Sequence, residues 1–279
     1  MEAKRRTWTI KITNPDTIVL GIGYPTLTPD TGKPAMEVAD VNGVRLKGLL
    51  FDAGPKNSPS LLTIGDKGSS ADHSKNPTIA QDIFFRLGGS IAGKATNSLV
   101  VNSNNAVLDH IWAWRADHGN KGTVGWNINT GETGVVVNGD DVTATGLFVE
   151  HYQKYQVIWN GQNGKTIFFQ NEMPYDVPDQ AAYMNDNGLE GWAAYKVADD
   201  VTSHEGWGMG SYAFFNTNPQ VTNYHAYEVP DSPDVRFHSL LTVSLNEKGE
   251  ITHVINDTGD VTPPDTAPSN VVEFPSAGH

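Results

Sequence analysis

The sequence predicts an all-β fold, a parallel β-helix (solenoid) in which the chain winds through successive rungs. Three observations predict it. A short strand pattern recurs seven times, Asn residues recur at the turns ahead of several copies, and helix signals are weak throughout. The pattern is a β-branched or apolar start, alternation, a small or polar residue, then an apolar run.

Taken in order, Arg6 to Leu50 reads as early strands, Trp8 to Ile12 and Thr17 to Leu20, on a first rung. The copies then begin at Val44, Thr78, Ala106, Val142, Gln162, Val201 and Val235, at irregular intervals of 20 to 39 residues that suit rungs carrying loops of different length. Val101-Asn102, Val137-Asn138 and Trp159-Asn160 each precede a copy and place Asn side chains where they stack in a ladder. The most helix-like stretch, Gln180 to Met184, is short and stands between Pro178 and a run of Asn, Asp and Gly that ends it. Thr258 to Pro268, with Thr262-Pro263-Pro264, reads as a loop before a last strand at Asn270 to Phe274. No linker divides the chain, so residues 1–279 are expected as one domain. A β-sandwich or jelly roll also repeats alternating strands, but stacked Asn turns are hard to obtain from hairpins.

Composition narrows the function. A formal charge of −13 repels polyanions, which excludes nucleic acid and anionic lipid as partners. There is no cysteine, hence no disulfide, thiolate metal site or thiol nucleophile. No apolar stretch is long enough for a signal peptide core or a membrane span. No calcium-loop motif, phosphate loop, GxSxG elbow or HExxH helix occurs, so no cofactor is expected.

The chemistry is expected around the stretch from Asp117 to Asp141. Asp117 precedes the adjacent pair Asp140 and Asp141 by 23 residues, about one rung, so the three carboxylates are expected on neighbouring rungs. Glycoside hydrolysis needs such a set: one carboxylic acid to protonate the leaving oxygen and one carboxylate to activate water or attack the sugar. Asp and Asn are also ordinary turn residues, and Asn104-Asn105 and Asp199-Asp200 occupy the same position in other copies. His110, His118 and His151 are placed to orient a carboxylate, with no spacing that fits a metal site. Trp126 and Trp192 lie in Gly- and Asn-rich loops and are expected to be exposed platforms for sugar. Glu172 and Glu205 are spare carboxylates beside the groove. The expected substrate-binding set is therefore Trp126, His118, His151, Trp192 and Glu172.

The segment from Leu108 to Glu172, with LDHIWAWRADHG, GVVVNGDDVTATGLFVEHYQKYQVIWNG and TIFFQNEMPYD, resembles right-handed parallel β-helix proteins of glycoside hydrolase family 87, a group of α-1,3-glucanases and mycodextranases. The resemblance implies an inverting endo-hydrolase of a neutral polysaccharide, α-1,3-glucan, whose three catalytic aspartates fall on Asp117, Asp140 and Asp141, one as general acid and another as general base. It also implies a secreted, monomeric enzyme, here trimmed of its leader. Two alternatives stand beside it. One is a polygalacturonase-like pectinase, for which Arg115 and Lys154 are the only nearby basic residues to meet uronate. The other is a non-catalytic β-helix that binds polysaccharide or serves as a scaffold.

Overall fold

A computed structural model describes residues 9–263 and 266–276 of the chain. Trp8, where the first predicted strand begins, and Pro264 of the predicted loop lie outside them. Among the described residues the fold is all-β, with two short 3-10 turns at Gln180–Tyr183 and Leu245–Glu247. The first of these coincides with the helix-like stretch, and Asp179 caps it by accepting from the Ala182 N–H at 2.8 Å.

From Met36–Val38 onward the strands alternate between a nine-stranded and a ten-stranded sheet, and each pairs in parallel with the next strand of its own sheet; before that, Ile18–Leu20 and Thr26–Leu27 both pair with Arg45–Asp52. Every circuit of the chain therefore adds one strand to each sheet. The exception is the last strand, Ser269–Phe274, which runs antiparallel to Asp234–Ser244.

The nine-stranded sheet is built from short strands whose end residues fill the interior while the central ones face outward. Val38, Ile64, Val101, Val137, Trp159 and Val197 form one column of directly paired residues. All are buried. Each apolar side chain of this size contributes roughly 1.5–3 kcal/mol on burial. Immediately after that column the predicted ladder is present. Asn160 donates to the Asn138 side-chain oxygen at 2.7 Å, Asn138 to Asn102 at 2.8 Å, and Asn102 to the Gly65 carbonyl at 3.0 Å. Asn138→Ala removes the middle of this chain of donors, and thermal unfolding should show a loss of about 1 kcal/mol.

The seven predicted copies correspond one to one to the long strands of the other sheet, from Arg45–Asp52 to Asp234–Ser244. Five copies start in register, at Val44, Thr78, Ala106, Val142 and Val235. The other two are corrected: the true equivalents are Gly164 in place of Gln162 and His204 in place of Val201, as the pairing of Lys165 with Thr143 and of Gly164 with His204 requires.

Each of these strands is creased at one position. Gly48, Asp82, His110, Gly146, Phe168, Gly208 and Ser239 all have φ between +53° and +69°, and each is skipped in the strand pairing on both sides of it. The left-handed residue adds one position to the alternation, so the buried parity changes across it: Ala144 faces inward before the crease, Leu147 and Val149 after it. Four of the seven are not glycine, and each of those costs about 1 kcal/mol or more of backbone strain. Contacts along the crease offset part of this, including His110 Nδ1 with Asp82 Oδ1 at 2.8 Å.

Candidate active site

Beyond the crease the outward positions of four consecutive strands bring acidic and aromatic groups to one edge. Trp114 pairs with Glu150, and Glu172 pairs with Tyr212. Glu150 and Glu172 keep the offset of the pair Phe148 and Gln170, which places the two carboxyl-bearing residues one strand apart, about 4.8 Å along the sheet.

The indole N–H of Trp112 donates to Glu150 Oε2 at 2.9 Å, and Trp112 and Trp114 stack at 5.8 Å between ring centres. Trp112 is among the exposed large apolar side chains, so its ring is open to a ligand. The phenol of Tyr175 donates to Glu172 Oε2 in a short hydrogen bond. Asp117 accepts from the Trp114 indole at 3.2 Å and from His118 Nδ1 at 3.0 Å.

His151 joins these groups from below. Its Nδ1–H donates to the Met173 carbonyl at 3.0 Å, since a carbonyl only accepts, which turns Nε2 toward Asp117 Oδ1 and Glu172 Oε2, both at 3.7 Å. Its backbone takes φ +67°, an uncommon value for histidine that turns the chain at the end of the strand Thr143–Glu150. Beneath it, Arg115 is fully buried and forks onto Asp176 through two bonds of 2.8 Å. The same guanidinium donates to the carbonyls of Asn129, His151 and Gly125.

The charges are unequal. Burial, together with the nearby Glu172 and Asp117 charges and against the Trp112 N–H, pushes the Glu150 carboxyl up to about 7. At Asp117 burial is outweighed by the attraction of His151 and the hydrogen bond from His118, which hold its carboxyl below the usual range. Burial pushes the His151 imidazole below its ordinary value in spite of both carboxylates. A neutral His151 exerts less of that attraction, so the His118 contact carries more of the effect on Asp117. The Tyr175 phenol is raised by burial and by Glu172, and stays a proton donor. The site therefore holds one carboxyl, Glu150, that keeps its proton to near neutral pH beside the Asp117 carboxylate, which does not.

A linked stability effect follows. Glu150 has a folded value of about 7 against 4.5 for the free group, so the folded state binds more protons in that window. Its contribution is fully present below pH 4.5 and is lost as pH rises through about 7. Glu150→Gln removes the loss, and its melting temperature should exceed the parent's at pH 8 by a few degrees while the two differ less at pH 4.

The structure brings together only part of the set expected from sequence. Asp117, His151 and Glu172 meet, with exposed His118 at the rim. Asp140 and Asp141 do not join them. They form the turn before Thr143–Glu150, so that strand, roughly 25 Å long, separates them from Glu150. Asp140 accepts from the Gln162 N–H at 2.7 Å and Asp141 takes φ +58°. Gly43, Asn105 and Asn163 hold the same left-handed turn position in other rungs, and Asp tolerates it for the same reason Asn does. His110 belongs to the crease, and Glu205 pairs with Lys165 at 3.2 Å. Trp126 is half-buried with Arg115 behind its ring, and Trp192 is only 6% exposed, which corrects the expectation of an open platform. Sequence reasoning missed Glu150, Tyr175 and the Arg115–Asp176 pair.

Comparison with known proteins identifies the family. The LAM55 pectate lyase-like domain profile matches residues 6–172. An exo-β-1,3-glucanase of Streptomyces sp. (strain SirexAA-E / ActE) is 56% identical over 267 residues, 95% of this chain and 44% of the relative. Two solved structures of sacteLam55A from Streptomyces sp. SirexAA-E, one of them a glutamate-to-alanine variant in complex with glucose, superpose with a TM-score of 0.93 at 56% identity. They too share 95% of this chain and 48% of theirs, so the chain spans about half the length of these relatives.

These findings correct the expected kinship with glycoside hydrolase family 87 and the expected α-1,3-glucan substrate, because the relative is a β-1,3-glucanase. The aspartate pair that carried that resemblance is a turn. The pectinase alternative also lacks support: Arg115 is spent on Asp176, and Lys154 on Glu132 at 3.3 Å.

Proposed function

Because the chain belongs to the LAM55 pectate lyase-like family, we propose that it is a glycoside hydrolase, an exo-β-1,3-glucanase working through Glu150 and Glu172. The observation that carries this reading is the pair itself: two glutamates on adjacent strands, one kept protonated to about pH 7, beside the Trp112 and Trp114 rings. In hydrolysis one carboxylic acid protonates the glycosidic oxygen as the bond to the anomeric carbon breaks. The other carboxylate takes a proton from the water that supplies the new C–O bond, or attacks first and is released by water. Burial of Glu150, with the nearby Glu172 and Asp117 charges, keeps the first proton available, and the Tyr175 phenol fixes the orientation of Glu172.

β-linked glucose carries its substituents around the ring edge and presents flat C–H faces, which suit the Trp112 and Trp114 indoles. Alternation of strands between two parallel sheets supports the parallel β-helix, and the crossover rule favours its right-handed form. A polymer of this kind does not cross a membrane, so we place the enzyme's action outside the cell.

Sugar release from β-1,3-glucan, β-1,4-glucan and polygalacturonate tests the proposal. Glucose as the sole early product, from β-1,3-glucan alone, is expected. A ladder of oligosaccharides would replace exo by endo action, and no release by the folded chain would end the reading.

A further inference from the structure

A second site lies apart from the glutamate pair. At the corner where the chain passes into the nine-stranded sheet, a cavity of about 520 Å³ is lined by Thr96, Trp126, Glu132, Lys154, Asp186 and Trp192 among others. These residues precede four successive strands, Asn97–Val101, Thr133–Val137, Val157–Trp159 and Tyr195–Val197. The cavity therefore crosses three strand spacings, roughly 14 Å. None of Asp117, Glu150, His151, Glu172 or Tyr175 lines it.

Its chemistry is that of a sugar site. One indole supplies apolar surface, the half-buried Trp126, backed by the Arg115 guanidinium at 5.5 Å; Trp192 forms the floor, 6% exposed with Lys154 Nζ over its ring at 5.4 Å. Around them stand a carboxylate and an ammonium already paired with each other, Glu132 and Lys154, and a further polar rim from Asp186, Thr96 and Asn57. Mixed donors and acceptors with little net charge over aromatic rings recognise hydroxyl-rich neutral rings, not polyanions. The volume falls within the range of sites that hold a small ligand.

We propose that this cavity is an ancillary carbohydrate-binding site that holds a short run of neutral glucan away from the hydrolytic centre and keeps the protein on its polymer. The ligand class rests on the glucanase reading above; the location does not. Binding raises the local concentration of chain ends at the glutamate pair without taking part in bond cleavage.

The test pairs retention with turnover on the full 279-residue chain. The fraction of protein sedimenting with insoluble β-1,3-glucan is measured for the parent, for Lys154→Ala, for Glu132→Gln and for Trp126→Ala. Hydrolysis of a soluble β-1,3-glucose trimer is followed beside it, and circular dichroism confirms folding. The two rim variants keep the Trp126 packing intact, which guards against loss through misfolding.

The expected result is weaker retention, by about tenfold for Trp126→Ala and less for the rim variants, with trimer turnover unchanged in Lys154→Ala and Glu132→Gln. Unchanged retention in all three variants, or retention and trimer turnover falling together in the rim variants, overturns the proposal. Retention that depends on these residues in a chain that hydrolyses nothing would uphold the site while refuting the glucanase reading.

Discussion

Glu172→Ala should lower kcat on β-1,3-glucan by about 10³-fold or more, which corresponds to roughly 4 kcal/mol of transition-state stabilisation. Glu150→Gln should lose activity on a similar scale. The two carboxyl groups share one face of adjacent strands, and each is oriented by its own donor, the Trp112 indole or the Tyr175 phenol. Asp140→Asn serves as the control, and its activity should stay within about twofold of the parent because its carboxylate caps a turn at the far end of the strand. Aryl β-glucosides with acidic leaving groups assign the roles within the pair. The variant lacking the acid keeps activity on them, since the leaving oxygen no longer needs a proton, and the variant lacking the base does not. A loss under tenfold in both glutamate variants would remove the pair from the mechanism.

Arg115→Met should destabilise the fold by about 3–5 kcal/mol, the largest effect expected of a single substitution away from the glutamates. The guanidinium is fully buried and is shared among Asp176 and the carbonyls of Asn129, His151 and Gly125. Methionine fills much of the volume but leaves these acceptors without donors and Asp176 without its counter-charge. The melting temperature should fall by roughly 10 °C. Activity measured well below that temperature should fall as well, because the His151 carbonyl loses its anchor beneath the glutamate pair. A folded variant with parental melting would show that the fork is dispensable.

Much of the architecture was legible because it repeats. A strand pattern that buries one face must recur on every circuit, and the Asn ladder leaves its mark as an Asn after the apolar column on three consecutive rungs. The short strands of the nine-stranded sheet left less trace. Several hold only three residues, such as Leu62–Ile64 and Val157–Trp159, too few for alternation to stand out.

The site was half legible for a related reason. Counting a rung's worth of residues from Asp117 reached Asp140, but equal counts along a coil do not guarantee equal height on it, since loops consume residues unevenly. Glu150 was hidden by register. With the fifth copy begun at Gln162, its partner is Gln170; begun at Gly164, as the pairing requires, its partner is Glu172. Aligned copies ending in Glu at the same place would have been the signal. The burial of Trp192 had no such sign, because a Gly- and Asn-rich loop folded over the corner looks the same in sequence as one that stands free.

The crease also acts as a ruler. His110, Gly146 and Phe168 each stand four residues before Trp114, Glu150 and Glu172, so distance along the strand to the reactive edge is counted from a fixed bend and not from the loops. Insertions between Arg115 and Thr133, or between Glu172 and Tyr195, leave that count intact. Loops are thus free to lengthen and change shape around this edge while the counted positions stay in place, whereas deletion of one residue between Gly146 and Glu150 would turn the Glu150 carboxyl into the interior. The scaffold admits change in what surrounds these carboxyl groups far more easily than in where they stand.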